Sequence, residues 1–171
     1  MKFFLFILLL AMPVIAQPII PDSHLTPGAI MPGVTVEQLC QRGYANVVNG
    51  GARHVTEAQK KAVFIAYFGK VPANPGAYEI DHLISLELGG SNDNGNLWPE
   101  TYLGMWNARV KDRLEDWMAA QLRRTRKSSG HDVAAATLAR FQAELAANWT
   151  NAYIHHLGQP TVSVKHGRAT E

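Results

Sequence analysis

The sequence predicts an α+β fold, mainly helical, in which a short β-hairpin leads into long amphipathic helices. Three observations predict it. Residues 78–88 and 96–98 are rich in β-forming and apolar side chains, and the turn-forming run Gly89-Gly90-Ser91-Asn92-Asp93-Asn94-Gly95 separates them, which reads as a hairpin with a long loop. Trp106, Val110, Leu114, Trp117, Met118 and Leu122 recur at spacings of three and four, the pattern of a helix with one apolar face. Leu138, Phe141, Leu145, Trp149 and Ala152 form a second such stripe.

The chain starts with a segment that is not part of this fold. Met1-Lys2 gives a short positive start, Phe3 to Ala11 is uninterruptedly apolar, and Val14-Ile15-Ala16 ends in a small residue. That is the layout of a secretory signal peptide. The apolar run is too short to span a bilayer comfortably, and Pro13 and Pro18 break up the residues after it. Cleavage after Ala16 leaves 155 of the 171 residues, enough for one domain, in the periplasm or outside the cell. Residues 17–55 are punctuated by proline and glycine and form an irregular segment packed on the domain, with a short helix over Val34 to Cys40. Thr56-Glu57-Ala58-Gln59 is a capping box that opens a helix to Phe68, and Gly69 stops it. The hairpin's second strand closes at Pro99. The next helix runs from about Gly104–Trp106 to Arg124, Ser128-Ser129-Gly130 breaks it, and a last helix spans about Asp132 to Ile154. The main domain is thus 56–157, with a loose tail over 158–171.

The formal charge of +2 falls to +1 without the leader, because Lys2 is the only charged residue lost. So small a charge does not announce a nucleic-acid binder, but its distribution does more: Arg109, Lys111, Arg113, Arg123, Arg124, Arg126 and Lys127 crowd into one stretch. The bland reading of that run is a solvated helix face. Cys40 is the only cysteine, so neither an internal disulfide nor a cysteine zinc site can form, and it reads as a small buried apolar residue.

Asp81-His82 on the first strand, with polar residues facing back from the helix, suits a one-metal phosphodiesterase. Such a reaction needs a base for water and a cation for the charge that builds on phosphate and the departing oxygen. Histidine is the side chain that titrates near neutrality, and a carboxylate holds a hard divalent ion. Adjacent strand residues point to opposite faces, so the strand must bend or end for the two to share a site.

At Tyr78-Glu79-Ile80-Asp81-His82, Gly89-Gly90 and Asn96-Leu97 the chain resembles the HNH endonucleases, the ββα-metal family, over about residues 78–115. It also resembles bacterial exported HNH-like proteins through Trp106-Asn107-Ala108-Arg109-Val110-Lys111-Asp112-Arg113-Leu114-Glu115. The resemblance implies a ββα-metal hairpin-plus-helix core with flanking helices. It implies His82 as general base, Asp81 as metal ligand, and Asn96 as the brace of the loop that orients His82. The helix ligand departs from the family pattern: no histidine lies between His82 and His131, and Asn107 is the replacement by position. An oxygen-only ligand shifts the expected ion from zinc to magnesium or manganese. Ser85 stands where the family usually has proline, and the zinc-binding cysteine pairs of some relatives are absent.

Each assignment has a plainer rival. Asp81-His82 can be a buried hydrogen-bonded pair, and Asn107 can cap the helix. Lys111, one turn beyond Asn107, reads as a phosphate contact with Arg109 and Arg113, and Glu115 is placed to pair with it. Asn92, Asp93 and Asn94 read as turn residues. His155-His156 reads as a polar helix end, because neighbouring helical residues diverge. The leading expectation is an exported, metal-dependent endonuclease acting on nucleic acid, DNA ahead of RNA. The alternatives are a catalytically inactive HNH-like module of the envelope that binds nucleic acid or another polyanion, and a structural protein.

Overall fold

A computed structural model describes residues 20–41, 43–47 and 53–161, so the expected leader and most of the tail lie outside the described residues. The fold is α+β and mainly helical, with one two-stranded antiparallel sheet. Helix α1 (Val36–Leu39) and helix α2 (Tyr44–Val47) are single turns. Helix α3 (Glu57–Phe68) starts at the Thr56–Gln59 capping box, where each side chain bonds the other's backbone N–H, and stops at Gly69 with φ 72°.

Strand β1 (Tyr78–His82) pairs with strand β2 (Leu97–Thr101), Tyr78 opposite Thr101 and His82 opposite Leu97. The first strand is shorter than its composition suggested. Leu86–Leu88 instead form a 3₁₀ turn capped by Ser85, whose Oγ accepts from Glu87 N–H. Strand β2 runs through Pro99, which a two-stranded ribbon tolerates because each strand has one unpaired edge.

Helix α4 (Ala108–Ser129) and helix α5 (His131–Leu157) form a long helical hairpin with Gly130 between them. Both expected stripes are inward: Val110, Leu114, Met118 and Leu122 meet Leu138, Phe141, Leu145 and Trp149 in the main core. Trp106 and Trp117 pack on its edge half-buried, and so does Cys40. Helix α5 is interrupted at Asn148 (φ −173°, ψ 101°), whose side chain accepts from Asn151 N–H and so caps the second half. No helix among the described residues is long and apolar enough to cross a membrane.

The sheet is a divider. Strand alternation puts Ile80 and Leu97 on one face, where they pack on Val63 and Phe64 of α3. Glu79, Asp81, Trp98 and Glu100 share the other face. Trp98 there joins the core of α4 and α5, while Asp81 meets Lys111 of α4 in a buried ion pair. The N-terminal segment lies across the loop between the strands. Gly28 N–H donates to the Gly95 carbonyl, Met31 N–H to Gly89, and Ser91 N–H to Ala29.

Candidate active site

The loop between the strands is built around Asn96, which is fully buried. Its Oδ1 accepts from Ile84 N–H at 2.9 Å, and its Nδ2 donates to the carbonyls of Ile84 and Ser91, each at 2.9 Å. A buried amide with these needs met holds a loop rigidly, because any movement orphans several polar groups at once. The Gly-Gly pair is required by the same packing. Gly89 has φ 80°. A Cβ on Gly90 would lie 1.8 Å from the Ile84 carbonyl oxygen and 2.8 Å from Asn96 Nδ2.

Strand β1 ends at His82, so Asp81 and His82 both line one cleft of about 560 Å³, together with Arg53, Glu87, Asp112, Glu115 and Asp116. His82 is only 1 % exposed. Its Nε2 lies 3.0 Å from Asn92 Oδ1, which also accepts from His54 N–H at 3.1 Å. That backbone donor identifies the Asn92 oxygen, so His82 Nε2 must be the donor in its contact and carries the proton. Nδ1 is left as a bare lone pair, buried and without a hydrogen-bond partner among the described residues. Burial holds the His82 pKa below its ordinary value, against the opposing pull of Asn92 and Asp81, so the ring is neutral near neutrality.

Across the cleft stands the buried charge centre. Lys111 is fully buried on α4. Its Nζ donates to Asp81 Oδ2 at 2.7 Å, to the His82 carbonyl at 2.7 Å, and to Glu115 Oε1. Three donors meet three acceptors. Burial opposes the charge on Lys111, but Asp81 and Glu115 outweigh it and raise the pKa. Burial likewise works against ionised Asp81, yet the adjacent ammonium keeps its pKa below the ordinary range. Glu115 is pushed up to about 8 by burial and by repulsion from Asp81, with Lys111 pulling the other way. Glu100 is 1 % exposed, and neither of its oxygens meets a donor among the described residues. Burial and Asp81 drive its pKa well above the ordinary range; as the neutral acid it can donate to Asp81, which removes the conflict.

The structure changes two assignments. Lys111 is not an exposed phosphate contact: its three donors are spent on Asp81, Glu115 and the His82 carbonyl, and solvent does not reach it. Asn107 is a helix cap: its Oδ1 accepts from Val110 N–H at 3.3 Å and its Nδ2 donates to the Gly104 carbonyl at 2.7 Å. The donors implied for a divalent ion, Asp81 and Asn107, therefore do not fit one, since the first is neutralised by an ammonium and the second is committed to α4. Among the described residues no group of three or more histidine, cysteine or acidic side chains is arranged to hold a metal. Arg109 and Arg113 are exposed on α4, Arg109 with its guanidinium 5.8 Å from the centre of the Tyr102 ring. Glu115 does pair with Lys111. His155 and His156 do diverge: His155 is exposed, while His156 is stacked on Trp117 and paired with Glu144.

Sequence reasoning missed Asn92, Glu100 and Arg53. Asn92 has the look of any turn residue, and only the fold brings it to His82. Glu100 carried a usable signal, because it lies two residues from Trp98 and so shares its inward face. Compared with protein-family models, curated proteins and solved structures, the chain matches none.

Proposed function

We propose that the chain is a nucleic-acid phosphodiesterase of the HNH type, exported from the cytoplasm, with DNA favoured over RNA. In this reading β1, the loop, β2 and α4 are the hairpin-plus-helix core of the ββα-metal fold. The observation that carries it is the bare, buried Nδ1 of a neutral His82, a residue that lines a polar cleft; in this reading a water reaches Nδ1 when the cleft takes substrate. That nitrogen takes a proton from water as the oxygen attacks phosphorus, and the bond from phosphorus to the 3′-oxygen breaks. The departing 3′-oxygen takes its proton from the water of the cleft. Arg53, 55 % exposed at the cleft, donates to Glu79 Oε1 at 2.9 Å and lies 3.7 Å from Asp81 Oδ1; in this reading its remaining N–H donors meet the phosphate, with Arg109 and Arg113 of α4 as further contacts. No step here runs through a divalent ion.

Plasmid nicking by the parent and by His82→Ala tests the reading. Removing a positioned base should cost on the order of 10²–10⁴-fold in rate while folding and binding persist. A folded His82→Ala chain that nicks as fast as the parent ends it. A second reading, a module that binds polyanions without cutting them, is favoured by one observation. Glu87, Asp112 and Asp116 line the same cleft as His82 and repel phosphate there. It predicts salt-sensitive binding along the arginines of α4 and no nicking by either chain.

A further inference from the structure

We infer that Lys111 is the resident cation of this centre: its buried ammonium does the charge-balancing work of a divalent ion, and the site is complete without one. The coordination carries the inference. Nζ sits among Asp81 Oδ2, the His82 carbonyl and Glu115 Oε1, an all-oxygen set of the kind a hard cation takes. Asp81 and Glu115 both pair with the ammonium, and Glu100 shares the sheet face of Asp81. A divalent ion on Asp81 and Glu115 would have to share these two acids with a fully buried positive charge, and repulsion between the cations would expel one of them.

Lys111 also ties down the end of β1. It holds the backbone of His82 through the carbonyl, while Asn92 holds the ring. The two contacts together fix where the bare Nδ1 points. Nothing in this inference requires that nucleic acid be cut, because stability reports on it.

The test is thermal melting of the full chain in chelator, magnesium or manganese. The parent should melt within about 1 °C in all three, since no site gains free energy by mass action. Lys111→Ala leaves Asp81 and Glu115 facing each other with room for an ion. It should melt several degrees lower in chelator and recover part of the loss, saturably, in manganese. Lys111→Ala combined with Asp81→Asn should recover nothing. A saturable rise for the parent in manganese that Asp81→Asn abolishes would overturn the inference, and so would a folded Lys111→Ala chain indifferent to manganese. If Lys111→Ala does not fold, the parent's titration with manganese decides alone.

Discussion

Asn96 and Lys111 anchor the same hairpin from two sides, the first with neutral groups and the second with charge. Asn96 bonds backbone Ile84 and Ser91, and nothing in that set titrates. Lys111 bonds two acids and one carbonyl, and Glu100 lies behind the first acid. Both centres are buried. The neutral one builds shape at every pH. The charged one makes the fold's stability depend on pH and keeps carboxyl groups protonated where ordinary ones are not. For stability alone the second arrangement gains little, since a buried ion pair is often no better than apolar packing.

The largest effect should come from the neutral side. Gly90→Ala sets a methyl against the Ile84 carbonyl at a distance no relaxed packing allows. It should cost more than about 4 kcal/mol, measured by denaturant unfolding, or prevent folding. A loss under about 1 kcal/mol would show that the loop is not held as tightly as Asn96 implies. On the charged side, Lys111→Ala should cost roughly 3–5 kcal/mol in chelator, because it leaves the buried Asp81 carboxylate without its ammonium. Asn96→Ala should cost roughly 2–4 kcal/mol, because Ile84 N–H and two carbonyls lose a partner and only some of them find water, and that loss should be the same from acid to alkaline pH. A loss that varies with pH would break the contrast.

Glu100→Gln should be the mildest and of opposite sign. Glu100 holds its proton in the fold and loses it on unfolding above the ordinary carboxyl pKa of about 4.3, so its contribution falls as pH rises. Glutamine removes that dependence and brings its own donor towards Asp81. The variant should be about 1 kcal/mol more stable than the parent at pH 8 and indistinguishable near pH 4. Destabilisation at pH 8 would mean that the Glu100 carboxylate has a cation of its own.

Much of the scaffold was legible from periodicity, since the stripes of α4 and α5 and the capping box of α3 depend on neighbours in sequence. The site was legible only in part. Asn96 and His82 stood out through the resemblance to the HNH pattern, but the partner of His82, Asn92, is brought to it by a turn whose path no local pattern specifies. Lys111 resembles any of several basic residues on a helix surface. Its burial could have been read from position: Lys111, Leu114, Met118 and Leu122 step by three, four and four, so the lysine extends the apolar stripe instead of the solvated face. Asn107 was open between cap and ligand, and the polypeptide's need to satisfy the first turn of α4 settles it as a cap.

The central claim is that His82 is a neutral imidazole protonated on Nε2, with a bare, buried Nδ1. Nitrogen NMR of the His82 ring across a pH titration tests it most directly. The ring should be neutral at pH 7, with the proton on Nε2, and should titrate below the ordinary histidine value of about 6.5. Stability should then fall on acidification from about that pH downward, because the unfolded chain takes up the proton before the fold does. A His82 ring that is charged at pH 7, or one that carries its proton on Nδ1, would contradict the account.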